Sequence, residues 1–377
     1  MEIYLDNSAT TKVAVKSAEA AFNMMVENYG NPSSLHSLGF KAEKVITKAR
    51  ETVANIIKCE SDEVYFTSGG TESNNTAIFG AVKARRKQGN RIVTTAIEHP
   101  SVLECMKELE KEGFEVIYLK PDSKGNINKL DIFDAINKNT ILVSMMSVNN
   151  ETGAIMPLDA VSFAIKKATA PALFHTDNVQ GFGKISLNVK KLGIDLLSLS
   201  GHKIHAPKGI GALYVNKKIH IHPHVFGGGQ EKGLRPGTES APLIAALMEA
   251  INLLPDTIKE LRRLKALNNL LRSELSSIEN IKINSPEDGL PYILNFSTNL
   301  VRGETMLHYL ETKNIFVSTG SACSKAKPSH VLSAMGLKQS EIETSLRVSF
   351  SRDTKEEEIK TFTEELKNGL NTLAHIK

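Results

Sequence analysis

Short apolar runs rich in β-branched residues alternate along the chain with longer amphipathic stretches. The short runs predict strands over residues 63–67, 91–95, 114–119, 140–148, 172–176, 195–200 and 212–215. Helical patterns fall between them at 72–86, 101–112, 129–137 and 158–169. Strands that alternate with helices predict an α/β fold, a mostly parallel sheet covered on both faces.

The pattern changes near Pro255. A long helix over 257–278 is polar on one side (Lys259, Glu260, Arg262, Arg263) and apolar on the other (Ile258, Leu261, Leu264). Strands follow at 281–284, 292–296 and 315–317, with a helix from Glu304 and a last helix over 355–373. This predicts a large α/β domain over 15–255. Residues 256–377, joined by 1–14, form a smaller α+β domain that carries Cys323.

The chain has 377 residues, 41% of them hydrophobic and 23% charged, which excludes global disorder. Lys and Arg number 46 against 42 Asp and Glu, a net charge of +4. That balance is no electrostatic footprint for nucleic acid, so no direct nucleic-acid partner is expected. Cys59, Cys105 and Cys323 are too few and too dispersed for a disulfide framework, which predicts a reducing compartment. The first residues place two acids where a signal peptide needs basic and apolar regions. No run approaches the ~18 uncharged apolar residues of a membrane span. The longest, 243–254, is broken by Glu249. A cytoplasmic protein without a membrane partner is expected.

Candidate chemistry sits at strand ends. Ser68-Gly-Gly-Thr-Glu-Ser73 lies between a strand and a helix, where glycines admit a ligand and free N–H groups face an anion. A plain helix cap is the alternative. It is neither a P-loop nor a GxGxxG turn, which disfavours nucleotides. His99 follows another strand end, either at a ligand rim or in an ordinary turn. Asp177, ending a buried strand, needs a cationic partner, for which a pyridinium nitrogen would serve; a capping Asp is the alternative. Gln180 could reach a polar atom of the same ligand.

Lys203 in Ser200-Gly-His-Lys203 is held between strands, where partial desolvation would lower its pKa and permit a Schiff base; a merely solvated lysine in a turn is the alternative. Ser200 and His202 could donate to a phosphate. The glycine-rich loop 226–238 suggests close approach of a ligand or another subunit. His220, His222 and His224 alternate as on a strand, but no Cys or acid sits at matching spacing, so no metal is expected. Cys323 lies in a loop of small and polar residues near Lys325 and Lys327, which favour thiolate. Cys59 and Cys105 read as packing. Arg347, in a strand-like run, suits bidentate capture of a carboxylate or a surface salt bridge.

In order and spacing these segments resemble one family, the cysteine desulfurases of the NifS/IscS type, among the fold-type I, class V pyridoxal-phosphate enzymes. The resemblance runs through Tyr4-Leu-Asp-Asn-Ser-Ala-Thr-Thr11, Gly30-Asn-Pro-Ser-Ser34, Thr67-Ser-Gly-Gly-Thr-Glu-Ser73, Glu98-His99, Val148-Asn-Asn-Glu151, Asp177 with Gln180, Ser200-Gly-His-Lys203, Gly320-Ser-Ala-Cys323 and Arg347. It covers nearly the whole chain.

The resemblance implies pyridoxal 5'-phosphate as cofactor. It casts Lys203 as the lysine that bonds the cofactor and His99 as the imidazole stacked on its ring. Asp177 pairs with the ring nitrogen, and Gln180 with the ring hydroxyl oxygen. Gly70, Thr71, Ser200 and His202 take the phosphate, and Thr238 reaches it from the second subunit of a homodimer. Asn150 and Arg347 hold the carboxylate of L-cysteine, and Asn150 also contacts the cofactor. Cys323 receives the sulfur, giving L-alanine and a persulfide for an acceptor protein such as an iron–sulfur scaffold or a thiolation enzyme. Cys323 could also serve transiently as an iron–sulfur ligand. Selenocysteine lyase, or another class V enzyme, is the alternative on the same fold. The chain departs from the family with four residues between Cys323 and Pro328, about two fewer than long-loop members, and with Ser351 at a usual glycine.

Overall fold

The computed structural model describes residues 2–319 and 328–376. Its strands are β1 (Ile3–Tyr4), β2 (Val64–Thr67), β3 (Arg91–Thr95), β4 (Glu115–Leu119), β5 (Thr140–Ser144), β6 (Leu173–Asp177), β7 (Leu196–Ser200), β8 (Gly211–Val215), β9 (Lys282–Ile283), β10 (Ile293–Ser297), β11 (Ile315–Phe316) and β12 (Ser345–Ser349). Seven of them form one sheet in the order β2-β8-β7-β6-β5-β3-β4. From β7 to β4 every pairing is parallel, and β8 runs antiparallel to both β2 and β7.

Period two sorts the strand residues between two apolar layers. Ile92, Leu142, Leu173 and Leu196 pack with Ile78, Val82 and Met106 of helices Gly70–Arg85 and Pro100–Lys111. Their neighbours Val93, Val143, Phe174 and Leu197 face the other way, against Ile46, Val161 and Leu247. Those side chains come from helices Ser37–Ile57, Leu158–Ala168 and Ala241–Asn252. Strands β5 to β8 are therefore buried at every position, including the polar residues that end β6.

A smaller unit holds the antiparallel sheet β12-β10-β9 and the parallel pair β1-β11. Helices Thr257–Ser276, Gly303–Thr312 and Glu356–Thr372 cover it through Leu264, Leu271, Met306 and Phe362, packed on Phe296 and Leu346. The N-terminal segment stitches the two units together. Asn7 N–H donates to Ser349 O (3.3 Å), whereas Thr11 and Ala14 N–H donate to His202 and His205 carbonyls (both 2.9 Å).

Two expectations are corrected. The strand expected over 140–148 ends at Ser144, because the following residues turn into the wall of a cavity. His220, His222 and His224 lie in irregular backbone: His224 stacks on Phe79 and His220 packs edge-on to His222. Helices Val15–Val26, Ser37–Ile57 and Ala241–Asn252 add to the elements read from the sequence. Ala241–Asn252 packs against the other two, and no single helix among the described residues is long and apolar enough to cross a membrane.

Candidate active site

A cavity of about 490 Å3 opens at the C-terminal ends of β6 and β7, where the small unit meets the large sheet. Asp177, the last residue of β6, is buried on its wall. Its Oδ1 accepts the Val179 N–H (2.9 Å) and its Oδ2 accepts Asn74 Nδ2 (2.7 Å). Asn74 comes from the second turn of Gly70–Arg85, so the helix after β2 orients the carboxylate at the end of β6. Gln180 Nε2 donates to Ser8 O (3.0 Å), and its Oε1 is buried without a partner, as is Asn74 Oδ1.

His99 caps helix Pro100–Lys111. Its Nδ1 accepts the Ser101 N–H (3.2 Å) and pairs with Ser101 Oγ (2.8 Å). In the neutral ring the proton is then on Nε2. Burial holds this imidazole below its ordinary pKa; the Asp177 charge opposes that, and Lys203 and His330 add to it.

Lys203 sits in a tight turn directly after β7. Its Nζ donates to the carbonyls of Ser8 (2.5 Å) and Ala9 (2.8 Å), so the N-terminal segment cradles the amine. His202 Nδ1 lies 3.2 Å from Thr10 Oγ1. Burial first, and the Lys203 charge next, lower its pKa to about 4, leaving a neutral imidazole at pH 7. Ser200, His202, Gly70 and Thr71 share one end of the cavity with the start of helix Gly70–Arg85. The turn into that helix needs Gly69 at φ 153°, and a Cβ on Gly70 would stand 2.7 Å from Val179 Cγ2. Backbone amides thus approach an anion unobstructed.

Arg347, in the middle of β12, is 1% exposed. Its Nη1 donates to Asn150 O (3.0 Å) and its Nη2 to Asp6 Oδ1 (2.7 Å). Asn150 and Arg347 line the cavity together with His330, whose Nε2 donates to Glu98 O (2.9 Å). Thr238 does not line this cavity; it is exposed beside a second cavity of about 300 Å3 lined by Met24, Tyr29 and Gly30. Cys323 lies outside the described residues. Burial pushes the Cys59 and Cys105 thiols up to about 12, which makes both poor nucleophiles.

Sequence reasoning assigned no role to Asn74, Ser101, Ser8, Ala9 or His330. Asn74 stood four residues after Gly70 on a helix start, a face that turns with the anion site. Ser8 and Ala9 act through backbone carbonyls, which leave no side-chain signal.

Aminotransferase class-V is the family whose pattern matches residues 3–362. A cysteine desulfurase 2 from Trichormus variabilis is 43% identical over 361 residues, 95% of this chain and 90% of that protein. A solved NifS-like protein superposes with a TM-score of 0.94 at 36% identity, covering 99% and 100% of the two chains. SspA, solved in complex with cysteine, superposes at 0.82 with 34% identity over 93% and 99%. The chain belongs to the cysteine desulfurases of the class-V aminotransferase family. Enzymes of this family depend on pyridoxal phosphate, and the fold is that of fold-type I.

The side chains present fit that cofactor. A carboxylate held by two donors can face a ring nitrogen, and the buried Gln180 Oε1, which has no partner, stands three residues further on. A helix start with two hydroxyls and a neutral imidazole can take a phosphate, and an amine lies on the same cavity.

Proposed function

We propose that this protein takes sulfur from L-cysteine, releases L-alanine and leaves a persulfide on Cys323. The observation that carries this reading is the single cavity onto which Asp177, Lys203, His99 and Arg347 converge from both units.

Asp177, oriented by Asn74, would hold the cofactor ring nitrogen in its protonated form; Gly70, Thr71, Ser200 and His202 would hold the phosphate. Bound there, pyridoxal phosphate supplies an electron sink that acidifies the substrate Cα–H. Arg347 Nη atoms and Asn150 orient the substrate carboxylate. Lys203 Nζ removes the Cα proton, and a neutral His99, with its Nε2 proton, serves proton exchange at the substrate end. The Cys323 thiolate forms the S–S bond while the substrate C–S bond breaks, its electron pair staying on carbon. One thiol and one cysteine thus become one persulfide and one alanine, with every hydrogen retained.

The persulfide suits transfer to an acceptor protein, such as an iron–sulfur scaffold or a thiolation enzyme, in a reducing cytoplasm. The active unit we propose is a homodimer. Phe22, Met25, Tyr29 and Phe40 form an exposed apolar face on and between helices Val15–Val26 and Ser37–Ile57, with Phe226 exposed on the glycine-rich loop. Thr238 borders the cavity beside Tyr29, where a second copy would seat it. Sedimentation of the native chain and of Phe22→Asp tests this: a dimer that dissociates on substitution supports it, and a native monomer refutes it.

The activity is tested by incubating the pyridoxal-phosphate-loaded protein with cysteine and a thiol reductant. Alanine and sulfide should form in equal amounts. Cys323→Ser should abolish both while the bound chromophore persists; full activity in that variant would refute the sulfur-acceptor role.

A further inference from the structure

His330 lines the cavity, and the chemistry above gives it no part. It opens the short helix His330–Ala334. Its Nε2 lies 2.9 Å from Glu98 O, a carbonyl that can only accept. The ring proton is therefore on Nε2, and the neutral ring keeps a lone pair on Nδ1. Among the described residues that Nδ1 has no hydrogen-bond partner.

His99 is the opposite case. Its Nδ1 takes the Ser101 N–H, so the neutral ring meets the cavity as a donor through Nε2. The acids on the cavity are engaged elsewhere: Asp177 Oδ1 and Oδ2 accept from Val179 and Asn74, and Glu151 Oε2 accepts from Ser329 Oγ (2.5 Å). His202 Nδ1 is paired with Thr10 Oγ1 at the phosphate end. Nδ1 of His330 is thus the proton acceptor that these bonds leave on the cavity.

One dipeptide ties His330 to the carboxylate end of the cavity. Asn150 O accepts from Arg347 Nη1 (3.0 Å). The next residue, Glu151, holds Ser329, whose Oγ also caps the helix by accepting the Leu332 N–H (3.1 Å). Burial raises the Glu151 pKa, and the Ser329 hydrogen bond, then His330 and Arg347, oppose that rise, so both side chains act on one buried carboxyl.

In an α-amino acid the carboxylate and the ammonium share one carbon, so a base for the ammonium belongs with the carboxylate holder. We propose that His330 is that base: its Nδ1 takes one proton from the ammonium of L-cysteine as the substrate binds. The N–H bond breaks with its electron pair left on the amine nitrogen, which becomes nucleophilic. The imidazolium is stabilised by its Nε2–H on the Glu98 carbonyl, and it returns the proton to the amine of the departing alanine. The inference rests on the reading of this cavity as the place where cysteine reacts.

The test follows the absorbance of pyridoxal-phosphate-loaded protein after rapid mixing with L-cysteine or with L-alanine, which has the ammonium but no sulfur. His330→Gln keeps a donor for the Glu98 carbonyl and lacks a basic nitrogen. Its absorbance change should be on the order of a hundredfold slower with both amino acids, at an unchanged resting spectrum and melting temperature. In His330→Ala, added imidazole should restore the rate in proportion to its concentration. A near-native rate in His330→Gln overturns the proposal. A loss confined to L-cysteine also overturns it, by placing His330 on the sulfur, and so does a loss that imidazole leaves untouched, the mark of a structural role. If His330→Ala does not fold, His330→Gln decides alone through the two amino acids. A native protein whose absorbance responds to neither amino acid would overturn the reading of the cavity instead.

Discussion

Arg347 and Asp6, 341 positions apart in the chain, meet at 2.7 Å on the small-unit side of the cavity. The guanidinium is almost fully enclosed, and the Asn150 carbonyl fixes its other arm. Asp6 therefore sets the plane in which Arg347 meets a carboxylate. Asp6→Ala should raise KM for cysteine roughly tenfold and change kcat less than twofold. It should also destabilise the fold by about 3 kcal/mol, because a buried cation loses its partner. Steady-state kinetics and urea unfolding check the two effects separately.

Asp177 holds two donors, from Asn74 and the Val179 backbone. Asp177→Asn places an amide where a negative charge should face the ring nitrogen, and kcat should fall on the order of a hundredfold. Cofactor should still bind, since the phosphate end is untouched. Absorbance of the loaded variant and single-turnover alanine formation provide the measurements.

Gly70 closes the phosphate end without a side chain. In Gly70→Ala the new Cβ would lie 2.7 Å from Val179 Cγ2, so Val179 or the helix start must shift. The apparent Kd for pyridoxal phosphate should rise about tenfold. Titrating cofactor-free protein with pyridoxal phosphate, followed by absorbance, measures it.

Glu98 supplies a pH dependence of stability. Its side chain is fully buried, Oε1 accepts from Thr95 Oγ1 (2.8 Å) and Met146 N–H (2.9 Å), and Oε2 has no partner. Burial raises its pKa from 4.5 to about 8. The folded chain keeps a proton that the unfolded chain has released throughout that interval. Stability from Glu98 is thus complete below about pH 4.5 and declines as pH rises toward 8, by up to a few kcal/mol. Glu98→Gln should flatten this decline, as read by urea unfolding at several pH values.

Much of the site was legible before the fold. Each strand end with a polar cluster became a wall of the cavity: Gly70 and Thr71 after β2, His99 after β3, Asp177 and Gln180 after β6, Lys203 after β7. Strand termini carry this information because parallel strands point their C-terminal ends to one side. Helices Val15–Val26, Ser37–Ile57 and Ala241–Asn252 were not read. Outward apolar residues such as Phe22, Met25 and Phe40 blur the period that separates a buried from a solvated face. The alternating His220, His222 and His224 imitated a strand, but no neighbouring strand pairs with that segment.

From the order of its residues alone the chain determined its alternation of strands and helices, the polar turns at strand ends and the glycines at the anion site. These depend on periodicity and on the conformational range of single residues, both local properties. Tertiary packing decided the rest: Asn74 on Asp177, the Ser8 and Ala9 carbonyls on Lys203, and Asp6 on Arg347. Burial and the distance between charges arise only when remote segments meet, and those two quantities set whether His99, His202 and Glu98 carry a proton at pH 7.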